Sequence, residues 1–549
     1  METSVNGMRW RGLILALMLA GLFSGSRLGA QTSDLGRIDF PTSGSPAAQE
    51  HFLRGVLLLH SFEYEDAAEE FREAQRLEPG FAMAYWGEAE TTNHPIWVER
   101  DAEAARTILN RLAPNPEARL AKAPTPREKG YLEAVEILFA EGKKPERDRA
   151  YAEAMLRLHQ RYPDDLEAAS FYALALLGTC QGQRDTATYM KAAAVAEEVF
   201  AKNPLHPGAV HYLIHSYDDP VHAPLGMRAA RAYSKIASTA AHAQHMCSHI
   251  FVAMGMWDDV VRSNETAVAL VNARREKKGL PAAPCGHYNE WLEYGYLEQG
   301  RFADAERVLE GCRAQATPPE HAGHTGGANP GHSWLGSFAG MWSRYLIDTG
   351  QVMGDVVSWS FSPGDAPEAR VTREYVGGLI AGRRKDPAGT RAALERLGKA
   401  VRDLEAEQKK RANIDPSYAT GAAIFEEQLR ALIANAEGHP EEAVGILLKA
   451  AAEETAMPFS FGPPSIDKPT PELLGELLLE LNRPAEARQQ FERSLARAPG
   501  RSLSLLGLAR SAAKTGDTAA ARQAYAELAG NWQRADADVP ELAEARKNL

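Results

Sequence analysis

Cysteine and positive charge are both scarce in this sequence. Only four cysteines occur among 549 residues, and none forms a C-x-x-C pair: Cys180, Cys247, Cys285 and Cys312. The missing pair argues against a zinc ribbon, a thioredoxin-like site and c-type haem attachment, while four cysteines leave three disulfide pairings open. Lys and Arg number 61 against 73 Asp and Glu, a formal net charge of -12. Because this charge opposes binding to phosphate backbones, we expect no nucleic-acid partner.

Long apolar runs and familiar catalytic motifs are also lacking. Beyond the N-terminus no uncharged stretch approaches the roughly twenty apolar residues that span a bilayer. The sequence contains no P-loop, no H-E-x-x-H helix, no Rossmann glycine fingerprint and no G-x-S-x-G elbow. The bulk composition is ordinary, with 44% hydrophobic residues, 45 Gly and 32 Pro. These values exclude collagen-like and largely disordered chains.

The N-terminus has the pattern of a secretory signal. Arg9 and Arg11 precede an apolar run over residues 12–23, and small residues follow up to Ala30. A charged segment, a short apolar segment and a small-residue cleavage site are typical of a signal peptide, here residues 1–30. The apolar run is too short to span a bilayer. We therefore expect an exported chain, periplasmic or secreted, with no membrane span after cleavage.

Small residues, aromatics and prolines recur at a fixed spacing. Near the C-terminus, Gly475 and Ala509 occupy equivalent positions 34 residues apart. The spacings place small residues where two antiparallel helices touch, an aromatic ring between them, and a proline where the second helix ends. The pattern is hard to phase over 330–445. The clearest copy, residues 51–79, contains Gly55, Tyr64, Ala67, Phe71, Ala74 and Pro79.

This pattern resembles the tetratricopeptide repeat (TPR), in an exported, bacterial-type TPR protein with a histidine-rich groove. The resemblance implies an all-α fold, a right-handed superhelix of helical hairpins with inserted loops. Each hairpin has an apolar face that only its neighbours can cover, so the hairpins stack into a solenoid. The resemblance also implies a concave groove, lined by the first helix of each hairpin, in which a peptide, a protein partner or a small ligand binds.

The repeat register divides the chain after the signal peptide. Clusters of Gly, Pro and polar residues interrupt the helical periodicity and mark two long loops. The predicted segments are a linker (31–45), an N-terminal repeat pair (46–113), a central array with the histidine-rich groove (114–316), a Gly- and His-rich loop (317–333), degenerate helical repeats (334–456), a Pro-rich loop (457–469) and a C-terminal repeat pair (470–549).

Histidine is concentrated in the central array. Eleven of the sixteen histidines lie between His206 and His332. The TPR resemblance directs one set of side chains, from three successive first helices, into the groove. That set is His211, His215, His242, His245, His249, His287, Glu290 and Tyr294.

The spacing of these histidines predicts a metal site. Offsets of three, four and seven residues keep side chains on one helical face, and an i, i+4 histidine pair can chelate one ion. Packed helices lie about 8–10 Å apart, so imidazoles from neighbouring helices can converge. In the competing interpretation the rings only hydrogen-bond and stack. We predict Zn, Cu, Fe or Ni, in a mononuclear or dinuclear site, on the ligands His211, His215, His242, His245, His249, His287 and Glu290.

Three functions are compatible with these features. In the first, the groove binds a ligand or partner through the histidine-bound metal. In the second, the metal is catalytic, in a hydrolase or oxidoreductase, and Glu290, Asp218 or Tyr294 moves protons or orients the nucleophile. In the third, the protein is a metal-free scaffold for protein–protein interaction, since a fold does not fix a function. The sequence alone does not decide whether the protein is an enzyme.

Overall fold

A computed structural model describes residues 34–97, 99–181, 183–316, 334–359, 367–410 and 416–549. The predicted signal peptide and the Gly- and His-rich loop, with His321, His324 and His332, lie outside these ranges. Within them the chain is built almost entirely of α-helices. None of the described helices combines the length and apolar character needed to cross a bilayer.

Most consecutive helices of the described ranges pack against each other as hairpins. The N-terminal helices are α1 (Pro46–His60), α2 (Tyr64–Leu77), α3 (Ala82–Glu90), α4 (Ala102–Leu112), α5 (Pro116–Leu120), α6 (Pro126–Leu138), α7 (Lys144–Arg161), α8 (Leu166–Gly178) and α9 (Thr186–Lys202). The two short strands, β1 (Asn93–His94) and β2 (Glu99–Arg100), pair antiparallel between α3 and α4.

The remaining helices continue the array. The central ones are α10 (Pro207–Tyr217), α11 (Ala223–Ile236), α12 (Ala241–Ala253), α13 (Trp257–Lys277), α14 (His287–Glu298), α15 (Phe302–Ala316), α16 (Trp334–Thr349) and α17 (Asp355–Ser358). The C-terminal ones are α18 (Pro367–Arg383), α19 (Pro387–Lys410), α20 (Pro416–Ala436), α21 (Pro440–Ala456), α22 (Thr470–Glu480), α23 (Pro484–Arg497), α24 (Ser502–Lys514), α25 (Thr518–Asn531) and α26 (Pro540–Lys547).

A phenylalanine wedged between two glycines joins the helices of the first repeat. The Phe71 ring on α2 lies between Gly55 of α1 and Gly87 of α3, where an added Cβ would come within 2.7 and 2.3 Å of ring carbons. Phe491 on α23 makes the same wedge between glycines of α22 and α24. A repeat near each end of the array therefore has the packing that the 34-residue pattern predicts, and the all-α solenoid of helical hairpins is confirmed.

Residues 34–45, which the sequence assigns to a linker, are packed into the fold. Phe40 is 1% exposed, and its ring centroid lies 5.2 Å from that of Phe52 on α1. The Arg37 N–H donates to the Leu205 oxygen at 2.9 Å. These contacts connect the start of the described chain to the turn between α9 and α10.

Two later segments, residues 334–456 and 457–469, also belong to the packed array. Residues 334–456, where the repeat pattern is hard to phase, form α16–α21 in the described ranges. The Pro-rich segment 457–469 contains no helix, as its composition predicts, yet it is not a solvated loop. Within it Ile466 is 2% exposed, and Lys468 is 1% exposed and donates to Glu472 Oε1 at 2.8 Å.

Helices far apart in sequence contact one another, so the superhelix closes on itself. Glu63, which precedes α2, forms an ion pair with Arg274 of α13. Toward the C-terminus, the buried Arg501 guanidinium donates to Glu298 Oε1 at 3.1 Å and to Asp348 Oδ1 at 2.6 Å. Because the described N-terminal and C-terminal segments both pack onto the middle of the array, much of the inner surface is removed from water.

We expect Gly507→Ala to destabilise the fold by about 1–3 kcal/mol, because the new methyl group would overlap the Phe491 ring. Gly445→Ala is the matched control. Gly445 is exposed on α21 and an added Cβ would meet nothing within 4 Å, so we expect a gain of about 0.4–1 kcal/mol there. Urea unfolding followed by circular dichroism measures both values. Equal free energies of unfolding for the two variants would contradict the packing of Phe491 between the two glycines.

Candidate functional site

Six histidines from three first helices form one continuous wall inside the solenoid. Each of these helices opens a hairpin: α10 with α11, α12 with α13, and α14 with α15. Rings on adjacent helices approach to centroid distances of 4.5–5.8 Å, and five of the six residues are no more than 5% exposed. The members are His211 and His215 on α10, His242, His245 and His249 on α12, and His287 on α14.

The chain itself fills the space in front of this wall. At the turn between α1 and α2, Phe62 adopts a left-handed conformation (φ +53°), and its ring packs on His211 and His242 at 4.3 and 5.4 Å. Phe461 of the Pro-rich segment covers His249 at 5.5 Å. The resemblance implies an open groove here, whereas the described residues enclose the histidines because two segments distant in sequence pack onto them.

The histidines divide into two triads in which ring nitrogens converge. Within each triad, one nitrogen of every member lies within 4.8 Å of those of the other two. An i, i+4 pair in each triad brings two Nε2 atoms to 3.1 Å. Two imidazoles that bind one ion at 2.0–2.1 Å in tetrahedral geometry have nitrogens about 3.3 Å apart, so this spacing suits a shared metal. The first triad is His211, His215 and His242, and the second triad is His245, His249 and His287.

Neighbouring acceptors fix the tautomers in the second triad. The His245 Nδ1–H donates to Asn264 Oδ1 at 2.7 Å, and the Asn264 amide donates to the Val260 oxygen at 2.9 Å, which sets the amide orientation. The His249 Nδ1–H donates to Asp218 Oδ2 at 2.5 Å. With a proton on each Nδ1, the neutral rings turn their Nε2 lone pairs toward each other. Such lone pairs repel unless both bind one cation or one ring takes up an extra proton.

The first triad is built in a similar way. The His211 Nδ1–H donates to the backbone oxygen of His60 at 2.7 Å, so its Nε2 lone pair faces His215. His242 Nδ1 lies 3.4 Å from the Tyr288 hydroxyl, whereas its buried Nε2 has no hydrogen-bond partner among the described residues. A buried polar atom without a partner raises the free energy of the fold, which favours a ligand at this nitrogen.

Burial opposes protonation of the first triad and of His245 in the second. Desolvation lowers the pKa of His211 to about 3. It also lowers the pKa values of His215, His242 and His245 well below the usual 6.5, and neighbouring histidines lower them further. Neutral rings keep their nitrogen lone pairs available to a metal ion at neutral pH.

The structure separates the three residues considered for proton transfer. Asp218 hydrogen-bonds His249, as described above. Glu290 lies one turn after His287 but belongs to neither triad, since its Oε2 faces Arg344 Nη2 of α16 at 3.6 Å. Tyr294 is 1% exposed, and burial raises the pKa of its hydroxyl well above 10. Asp218 is therefore the candidate that the structure places against the histidine wall.

A cleft lined in part by Asp218 lies beside the second triad. Its lining includes Asp218, Tyr294, Phe459 and Arg497. The carboxylate that orients His249 is thus also in contact with the cleft. A small molecule that enters the cleft comes within one residue of the ring nitrogens.

A third buried cluster supports the first triad. His60 Nε2 lies 2.6 Å from Glu167 Oε2, and His206 Nε2 lies 3.1 Å from Glu167 Oε1. The other ring nitrogens contact the Tyr212 hydroxyl and a backbone N–H of α10. Burial alone would raise the pKa of Glu167, but the two histidines outweigh it and lower the pKa to about 2. Since every ring nitrogen here has a protein partner, the cluster is a hydrogen-bond network that holds the His60 carbonyl against His211.

Sequence reasoning missed three residues that orient the histidines: His60, Glu167 and Asn264. Asn264 could have been found, because it lies on α13, the second helix of the hairpin whose first helix carries His245. No periodicity connects the other two with the wall. His60 is 151 residues from His211, and their contact depends on closure of the superhelix.

The structure contains one disulfide and completes none of the three two-bond pairings. Cys285 is bonded to Cys312, while Cys180 and Cys247 are free. The bond connects a residue two positions before His287 to α15. Cys285 is therefore not a thiolate ligand for the second triad.

No family model and no curated protein matches the sequence. Among solved structures, the chain is similar to the P58(IPK) TPR domain, at 11% identity over 86% of this chain and 99% of that one, with a TM-score of 0.22. It is similar to the APC/C hetero-tetramer Cut9–Hcn1 (8% identity, 91% and 76% covered, TM-score 0.32). Yeast Tom70 is a further similar structure (10% identity, 91% and 94% covered, TM-score 0.26). Likenesses of this kind concern the fold alone.

We expect Glu167→Gln to destabilise the fold by about 1–3 kcal/mol, because the amide NH2 would face a buried imidazole N–H. The ionised carboxylate stabilises the fold fully above the unfolded pKa of 4.5, and this contribution is lost as the pH falls toward 2. The difference in free energy of unfolding between Glu167→Gln and the wild type should therefore be constant from pH 8 to 5 and shrink below pH 4.5.

Urea unfolding at several pH values measures this difference. Glu153→Gln, at an exposed position of α7, is the control and should stay within about 0.5 kcal/mol of wild type. Wild-type stability of Glu167→Gln at pH 7 would contradict the network.

Proposed function

We propose that the protein is a helical-repeat protein that binds a transition-metal ion on the second triad. One observation carries the proposal: the Nε2 lone pairs of His245 and His249 face each other at 3.1 Å. Asn264 and Asp218 hold the opposite ring nitrogens in the protonated form. Proteins commonly orient metal-binding histidines through such an acceptor on the second nitrogen. His287 supplies the third nitrogen of the set.

The three histidine ligands limit which metal ions can bind and what the bound metal can do. Three imidazoles without a thiolate suit Cu, Zn, Ni or Fe. Three protein ligands leave a coordination position for a small ligand or a partner's side chain. The metal would thus hold a small ligand or a partner's side chain on this acidic helical-repeat protein.

Catalysis is a second candidate, favoured by the cleft beside Asp218. An open position on a histidine-bound metal can activate water or polarise a substrate oxygen. Asp218 would then act as a positioning residue through His249, because its carboxylate contacts the ring and not the triad nitrogens.

A metal-free interaction scaffold is the third candidate and uses the same fold. In that case the histidines form a polar core, with an extra proton shared between His245 and His249. A protein partner would then dock on a surface other than the histidine wall, since Phe62 and Phe461 cover the wall. Metal content separates this candidate from the other two.

Metal analysis of the purified full chain tests the proposal. We expect at least one equivalent of transition metal in the wild type and one equivalent less in His245→Ala/His249→Ala. Asn264→Leu, which removes only the acceptor behind His245, should weaken the affinity by about 10- to 100-fold. The control is His51→Ala/His439→Ala, two surface histidines whose side chains are 36% and 63% exposed.

Two results would contradict metal binding at the second triad. One is a folded wild type without stoichiometric metal after growth and dialysis in metal-supplemented buffer. The other is an unchanged metal content in His245→Ala/His249→Ala.

We also propose that the protein acts after export. The charged and apolar N-terminus supports this, as does the Cys285–Cys312 disulfide, because disulfides persist in oxidising compartments. N-terminal sequencing of the protein from an extracytoplasmic fraction is expected to begin at Gln31. Recovery of the uncleaved chain from the cytoplasm alone would overturn the proposal.

A further inference from the structure

We infer that the first triad holds a second ion, so that the six histidines form a two-ion centre, and that both ions are monovalent copper. The inference rests on the proposed metal binding at the second triad. It adds the number of ions, their charge and their element.

The geometry of the first triad matches that of the second. His211 and His215 bring their Nε2 atoms to 3.1 Å, the same distance as in the second triad. A backbone oxygen fixes the His211 tautomer, as the Asn264 amide fixes that of His245. Because the same local construction recurs one hairpin away, the same kind of occupant accounts for both.

His242 supplies an observation independent of that pair. Its Nε2 is buried and lacks a hydrogen-bond partner among the described residues. The rings of Phe62 and Trp97 pack on this imidazole at 5.4 and 5.9 Å. A metal ion bound between His242 and the other two histidines of the first triad, which each bring a nitrogen within 4.8 Å of one of its own, would give this ring a partner.

The charges around the wall favour monovalent ions. Neither triad contains a carboxylate. Of the nearby carboxylates, Glu63 is paired with Arg274 and Asp219 with Arg184 at 2.7 Å, while Asp218 hydrogen-bonds His249. A single negative charge at Asp218 offsets a smaller share of the charge of two divalent ions than of two monovalent ions.

Repulsion between the two ions also favours monovalent over divalent ions. The triads adjoin, with ring centroids of His242 and His245 5.9 Å apart and those of His215 and His249 5.8 Å apart. At any fixed separation, two divalent ions repel four times as strongly as two monovalent ions. Copper is the imidazole-binding transition metal with an accessible monovalent state.

Anaerobic titration of the metal-free full chain with Cu(I), in competition with a chromogenic chelator, tests this inference. We expect two equivalents of Cu(I) in the wild type and one in His211→Ala/His242→Ala. The wild type should bind a single equivalent of Zn(II), because a second divalent ion would be repelled. His51→Ala/His439→Ala should bind two equivalents of Cu(I), as the wild type does.

The outcomes separate the two claims. One equivalent of Cu(I), retained in His211→Ala/His242→Ala and lost in His245→Ala/His249→Ala, overturns the two-ion centre and leaves the proposed function intact. Two equivalents of Zn(II) overturn the charge argument. No bound metal overturns both claims. Should a double variant fail to fold, X-ray absorption of the copper-loaded wild type decides: two Cu(I) with nitrogen-only coordination support the inference, and oxygen or sulfur ligands overturn it.

Discussion

Exclusion of water from the inner wall of the solenoid controls the chemistry of its histidines. In an ordinary concave groove, imidazoles would be hydrated and would titrate near their usual pKa of 6.5. Here Phe62 and Phe461 cover the rings, and the pKa values of four of them fall well below that value. Burial therefore favours the neutral form of these four rings and keeps them from bulk water. Closure of the superhelix creates this environment.

Within that enclosure, the imidazole rings are oriented by oxygen atoms that accept hydrogen bonds and cannot donate them. A backbone oxygen, an amide oxygen and a carboxylate each receive one Nδ1–H, and each leaves an Nε2 lone pair directed into the wall. Behind the first triad a second layer of hydrogen bonds continues this arrangement. Glu167 bonds to the His60 ring, and the His60 carbonyl accepts from His211. Rings fixed in this way would lose little further conformational freedom on binding the proposed ion, which would favour tight binding.

Local spacing was sufficient to predict the repeats and the membership of the wall. The 34-residue register placed six histidines on three first helices, where the structure has them. The register could not predict the enclosure, because Phe62 and Phe461 reach the wall through contacts with residues more than a hundred positions away. Glu290 joined the predicted ligand set because it shares a helical face with His287. Its orientation toward Arg344 depends on α16, in the part of the sequence where the repeat phase is obscure.

The contacts between distant hairpins also change how such a solenoid can fold. Repeat arrays ordinarily fold by propagation between nearest neighbours. Here Arg37 bonds to Leu205, and the Trp257 Nε1–H donates to the Gly500 oxygen at 2.9 Å, so the central hairpins are complete only when both ends are in place. Closing such long loops slows folding relative to local helix pairing. During synthesis, the enclosed histidine wall is therefore among the last parts of the protein to take shape.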